Sequence, residues 1–180
     1  MSIEKTVYEK HRNLKIAADE IGIPWQSLYV KLKAQGVSVS GDKLRYGSDR
    51  DRLGALAESV FKKLVPDAID NNKNTFQAKY DFDVYGFKVD VKASKPRQLN
   101  KRFKALSWSF SFKKQTLVCD FIVCFCMDDD KTINRVLLVP SEFFRGLSTV
   151  SVSCDGNSKW GDYSVPKDEL ATFFSSLRKV

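Results

Sequence analysis

Residues 76–95 read Phe-Gln-Ala-Lys-Tyr-Asp-Phe-Asp-Val-Tyr-Gly-Phe-Lys-Val-Asp-Val-Lys-Ala-Ser-Lys, two alternating runs on either side of Tyr85-Gly86. Side chains alternate along a strand, so Asp90 and Lys92 share one face of the second run while Val89 and Val91 share the other. Tyr85-Gly86 reads as a turn. A hairpin closed on it sets Asp81 opposite Asp90 and Asp83 opposite Lys88. Sliding the pairing by one residue brings Phe82 to Asp90 and moves apolar side chains to the wrong side, so the pattern selects the first register. Asp81, Asp83 and Asp90 then crowd one surface, with Lys92 reaching the same space.

Like charges facing each other across a sheet repel, and something must offset the repulsion. A hard divalent cation does so: Mg²⁺ takes a few carboxylate oxygens and keeps waters that a phosphate can replace, and Mn²⁺ can substitute for it. Lys92 would serve beside it as a general base or as a stabiliser of developing charge. The same letters also describe an exposed strand face whose Asp and Lys pair for solubility, and the neighbourhood bears on that choice.

Upstream, Arg52-Leu-Gly-Ala-Leu-Ala-Glu-Ser-Val-Phe-Lys-Lys-Leu-Val-Pro-Asp67 has a helical period, with Leu53, Leu56, Ala57, Val60, Phe61 and Leu64 forming the apolar stripe. Glu58 borders that stripe and can point along the sheet toward the carboxylate face. Downstream come the alternating Ser107-Trp-Ser-Phe-Ser-Phe112, the apolar run Cys119-Asp-Phe-Ile-Val-Cys-Phe-Cys126 and the short run Val136-Leu-Leu-Val-Pro140. The order is helix, hairpin, then more strands around one central sheet, an α/β (α+β) class.

Glu58, then Asp81 or Asp83, then Asp90-Val-Lys92 followed by a buried strand resembles the PD-(D/E)XK nuclease superfamily, over roughly residues 51–145. The resemblance implies a restriction-endonuclease-like core with a central mixed β-sheet flanked by helices. It implies metal ligation by Asp81, Asp90 and Glu58, with Asp83 as the alternative to Asp81. It also implies that Lys92 positions or activates the attacking water. No proline precedes the first aspartate, a departure from the pattern.

The chain has 30 Lys+Arg against 22 Asp+Glu, a net charge of +8 and a pI of about 9.3, a balance that suits a polyanionic partner. Residues 92–104 carry Lys92, Lys95, Arg97, Lys101, Arg102 and Lys104 and no acid, directly after the site lysine. Such a segment is placed to grip a nucleic-acid backbone beside the scissile phosphate, although charge runs are also the ordinary dress of a solvated loop. Near the N-terminus, residues 13–36 fit a helix, a tight turn and a second helix. Ala18 is small enough for a close crossing, Gly22 can take the turn, and Leu28 and Leu32 pin the second helix. This spacing resembles a helix-turn-helix, which implies that a helix from about Trp25 to Ala34 enters the major groove. Gln26, Ser27, Tyr29, Lys31 and Lys33 would then face bases and phosphates. Residues 37–48, rich in Gly and Ser, read as a linker or small wing, giving a DNA-binding region over 1–48 and a nuclease-like core over 49–180.

His11 is the sole histidine, which argues against zinc hydrolases and any histidine-based triad. The chemistry must run on carboxylates and lysine. Cys119, Cys124, Cys126 and Cys154 lack C-x-x-C spacing, and Cys124 and Cys126 fit as small buried residues. No signal peptide and no apolar run of membrane length is present, so the expectation is a reduced, cytoplasmic protein with no membrane partner. At 180 residues one core and a small appendage can be buried. The tail should complete that core: Thr149–Ser153 as a strand, then a helix from about Pro166 to Leu177 capped by Ser164 and docked by Phe173 and Phe174. Together these readings describe a metal-dependent endonuclease acting on double-stranded DNA as a homodimer or higher homo-oligomer, in a homing, restriction or resolvase-like setting. The rival is a DNA-binding regulator that keeps the scaffold without turnover. Candidate dimer surfaces are the stretch around Phe143-Phe144 and the C-terminal helix.

Overall fold

The computed structural model describes residues 2–73, 78–98, 104–112 and 118–178. In chain order the helices are α1 (Ile3–His11), α2 (Leu14–Ile21), α3 (Trp25–Ala34), the single turn α4 (Lys43–Tyr46), α5 (Asp49–Leu64) and α6 (Leu170–Leu177). The strands are β1 (Ile69–Asp70), β2 (Phe82–Val84), β3 (Phe87–Ser94), β4 (Arg97–Gln98), β5 (Leu106–Ser111), β6 (Phe121–Met127), β7 (Ile133–Pro140), β8 (Thr149–Ser153) and β9 (Ser164–Val165). The fold is mixed α+β, in two compact units: Met1–Ala55 with Asn71–Ala78, and Leu56–Asp70 with Lys79–Val180. The division falls inside α5.

In the first unit, Asn13 caps α2 by accepting from the backbone N–H groups of Lys15 and Ile16, and Gly22 ends it in the left-handed conformation at φ 78°. Pro24 then leads into α3. Tyr8, Ala17, Ala18, Leu28 and Leu32 form the core of these helices, and the Tyr8 hydroxyl donates to Ser40 O at 2.7 Å. Ala18, Leu28 and Leu32 do the packing expected of them. The sequence reading missed α1, whose Tyr8 is wholly buried, and it missed α4, started by Asp42 accepting from Arg45 N within the supposed linker.

In the second unit a six-stranded sheet runs in the order β1-β2-β3-β6-β7-β9, and a three-stranded antiparallel sheet in the order β4-β5-β8. Only β3 and β6 pair in parallel within the larger sheet, so it is mixed, and the chain between them passes through β4 and β5. One face of the large sheet is covered by helices. Phe61 of α5 lies 4.9 Å from Phe82 between ring centroids, and Phe173 of α6 lies 5.5 Å from Phe121. The other face presents Ile122, Cys124, Cys126, Leu137 and Val139 to Trp108, Phe110, Val150 and Val152 of the small sheet, a single apolar layer. Trp108 enters that layer without an orphaned polar group, because its indole N–H donates to Met127 O at 2.8 Å.

Two details of the tail differ from expectation. Ser164 belongs to β9, and α6 is preceded by a 3₁₀ turn at Lys167–Glu169 with no side-chain cap, since pairing with β7 claims the backbone there. Phe144 is fully buried among Phe112 and Trp160 and so is unavailable to a partner, whereas Phe143 is 54% exposed.

Candidate active site

The hairpin that carries the site closes as the alternation requires. Tyr85 and Gly86 both take positive φ, 53° and 89°, the pair of left-handed residues that a two-residue turn of matching twist demands. Asp83 braces the turn by accepting from Gly86 N at 2.9 Å. The observed register joins Phe82 to Val89, Asp83 to Lys88 and Val84 to Phe87. Continuing it one step places Asp81 beside Asp90. Asp81 lies just outside β2, and its carboxylate is oriented by the backbone of β3: Oδ2 accepts from Val91 N at 2.8 Å, between the two other site residues. Asp83 is thus committed to the turn while Asp81 is aimed at Asp90.

On β3, Asp90 and Lys92 form an ion pair, Nζ to Oδ2, at 2.5 Å, with side-chain exposures of 16% and 32%. Their cross-strand neighbours on β6 are Ile122 and Cys124. Two residues further along, Ser94 is buried, and its Oγ accepts from Ser109 N at 2.8 Å. The small sheet therefore covers the end of β3 and leaves Asp90 and Lys92 in a partly desolvated rim. Burial pushes the Asp90 carboxyl up to about 6; Lys92 opposes the shift and Asp81 reinforces it. Burial works to lower Lys92, but the charge and hydrogen bond of Asp90 outweigh it, so its net shift is upward and it stays an ammonium at neutral pH. Burial drives Cys124 well above the ordinary thiol value, and Cys119 and Cys126 up to about 12.

The structure brings Asp81, Asp90 and Lys92 together. Glu58 stands half-buried on α5, the helix whose Phe61 contacts Phe82 on the opposite face of the hairpin from Asp81. Among the described residues no three His, Cys, Asp or Glu side chains gather as a metal-ligand group.

Of the other candidates, Gln26, Ser27, Tyr29 and Lys33 are exposed on α3. Lys31 is exposed as well but is paired with Glu4 of α1 at 2.9 Å, which holds the Glu4 carboxyl below its usual range. Lys95 donates to Asp129 O at 2.6 Å, Arg97 donates to Ser109 Oγ at 2.6 Å, and Lys104 is exposed. Lys101 and Arg102 lie outside the described residues. Sequence reasoning missed Asp120, whose Oδ2 accepts from Lys88 N at 2.8 Å and ties the start of β3 to the residue before β6. An aspartate inside an apolar run was its signal.

No protein-family profile and no curated protein sequence matches the chain. Among solved structures it is similar to a bacterial homing endonuclease, I-Ssp6803I, at 14% identity and a TM-score of 0.48, over 70% of this chain and 94% of that one.

Proposed function

We propose that the chain is a divalent-metal-dependent endonuclease of the PD-(D/E)XK type that hydrolyses phosphodiester bonds in duplex DNA. The observation that carries this reading is the convergence of Asp81, Asp90 and Lys92 on one half-buried rim, set by hairpin register. The donor set fits Mg²⁺. It offers two carboxylates, all-oxygen ligation, and a pair whose mutual repulsion and burial hold Asp90 up at about 6, a cost that a cation relieves. Asp81 and Asp90 would hold the ion, which when bound supplies Lewis-acid polarisation of the phosphate and a more acidic water. Asp81 enters this role prepositioned, because one of its oxygens is anchored on Val91 N. Lys92, an ammonium held beside Asp90, acts as a cation that orients the attacking water and offsets charge as it builds on the phosphoryl oxygens. In this reading α2 and α3 serve as a helix-turn-helix.

The test is nicking of supercoiled plasmid with Mg²⁺ or Mn²⁺ and with chelator. Metal-dependent nicking is expected from the wild type, and loss of at least about a hundredfold in rate from Asp90→Asn and Lys92→Ala. Near-wild-type cleavage by Asp90→Asn would reject the site. A second reading, a DNA-binding regulator without turnover, is favoured by the Lys92 ammonium resting on an Asp90 oxygen that a metal would need. Duplex binding by the wild type with no nicking in either metal would select it.

A further inference from the structure

The outer face of the small sheet takes no part in the site just described. Trp108 and Phe110 of β5 and Val150 and Val152 of β8 are buried on its inner side. Alternation turns Ser107, Ser109, Ser111, Thr149, Ser151 and Ser153 outward. The register pairs these hydroxyls directly: Ser107 with Ser153, Ser109 with Ser151, and Ser111 with Thr149. Ser111, Thr149 and Ser151 are exposed, and among the described residues their hydroxyls have no hydrogen-bond partner.

Strand propensity accounts for Thr149 but not for the five serines, because β-branched and aromatic residues are the types enriched in strands and serine is not among them. Protection of an edge does not account for it either, since edges are ordinarily blunted with lysine or other charges. None of the six outward positions is acidic; Asp155, beyond the end of β8, is engaged by the Ser153 side chain. The border is basic. Arg97 of β4 sits against Ser109, Lys104 is exposed just before β5, and the β4–β5 connection carries Lys101 and Arg102 in its sequence. The small sheet is also tied to the strand that carries the candidate site, because Ser94, on the same side of β3 as Lys92, accepts from the backbone N–H of Ser109.

We infer that this hydroxyl face reads base edges in the major groove of duplex DNA, with Arg97 and Lys104 holding the flanking phosphates. The inference rests on the DNA-cleaving reading above. A hydroxyl both donates and accepts, so it can match either kind of group on a base edge. Short side chains let the β5–β8 ribbon approach closely, and a two-stranded ribbon fits a groove about 12 Å wide. Basic residues alone would supply affinity without sequence preference.

The experiment uses the full chain in chelator, so that DNA is bound but not cut. Duplexes retained from a randomised pool are sequenced, and Kd is measured by fluorescence anisotropy for an enriched and a scrambled duplex. The triple variant Ser111→Ala, Thr149→Val, Ser151→Ala is compared with wild type after its Tm is shown to be unchanged. Loss of about tenfold or more of the preference, with affinity for the scrambled duplex held within about threefold, is the expected result. An unchanged preference, an equal loss on both duplexes, or binding by wild type without any preference would overturn the inference. So would a variant that keeps its preference but loses self-association in sedimentation, which would make the face a contact between copies. Metal-dependent nicking with the preference intact in the variant removes only the base-reading face, whereas a wild type that binds no duplex removes the nuclease reading as well.

Discussion

Asp90 carries an energetic cost at neutral pH. Its folded-state carboxyl titrates at about 6 against 3.8 for an unperturbed aspartate. Between those values the folded protein keeps a proton that the unfolded chain releases. The stability contributed by Asp90 therefore falls as pH rises through that window and is flat above it, the reverse of an ordinary salt-bridged carboxylate. Urea unfolding in chelator checks this: the stability of wild type relative to Asp90→Asn should decline from pH about 4 to about 6, and a constant gap would contradict the raised value. Asp81 separates charge from hydrogen bonding. Asp81→Asn keeps an acceptor for Val91 N–H and should fold like wild type while losing Mn²⁺ affinity in calorimetry. Asp81→Ala strands that N–H and should cost a further 1–3 kcal/mol, roughly, in unfolding free energy. Equal stability of the two would show that the contact is unimportant.

Among the elements, α3 divides its residues between packing and surface. Leu28 and Leu32 are wholly buried, while Gln26, Tyr29 and Lys33 are exposed and Lys31 is tied to Glu4. If α3 is the groove-entering helix, Gln26→Ala with Lys33→Ala should weaken duplex binding several-fold or alter its preference. Lys33→Ala should also reduce the salt slope by about one ion, and Lys31→Ala should do less because its charge is already partnered. Anisotropy titrations over a salt series measure both quantities, and an unchanged slope and preference would remove α3 from the interface. The β2–β3 hairpin is the other decisive element. Its positive-φ pair and the Asp83 brace pin the register that brings Asp81 to Asp90, so displacement of the turn would disperse the site before it unfolded the sheet.

For the whole molecule, the proposed chemistry would have one rim of this kind align one water with one phosphodiester. A double-strand break needs two such rims facing opposite strands, which two-fold symmetry supplies. The expected active species on a cleavable duplex is therefore a homodimer or larger assembly. Sedimentation of the bound protein tests it: one protomer per duplex together with concerted cutting of both strands would sink the dimer. Phe144 is spent on the core, and the exposed positions within α6 are Thr172, Ser175 and Ser176, so of the two candidate surfaces only Phe143 remains as an exposed apolar group for contact between copies. Among the described residues no helix is long and apolar enough to cross a membrane.

Read alone, the sequence was sufficient for the hairpin, its register, the two helices joined through Gly22 and the proximity of Asp81, Asp90 and Lys92. Each rests on local periodicity or on a turn whose residue types dictate its geometry. It was insufficient wherever the outcome depends on partners distant in the chain. Tyr8 makes α1 a core helix only because Ser40 receives its hydroxyl, and Ser164 is drawn from a helix cap into a strand only because β7 offers an edge. The two rows of hydroxyls, each readable as simple alternation, become one surface only when β5 pairs with β8, because alternation tells which side chains share a face of one strand and never which strand will lie beside it.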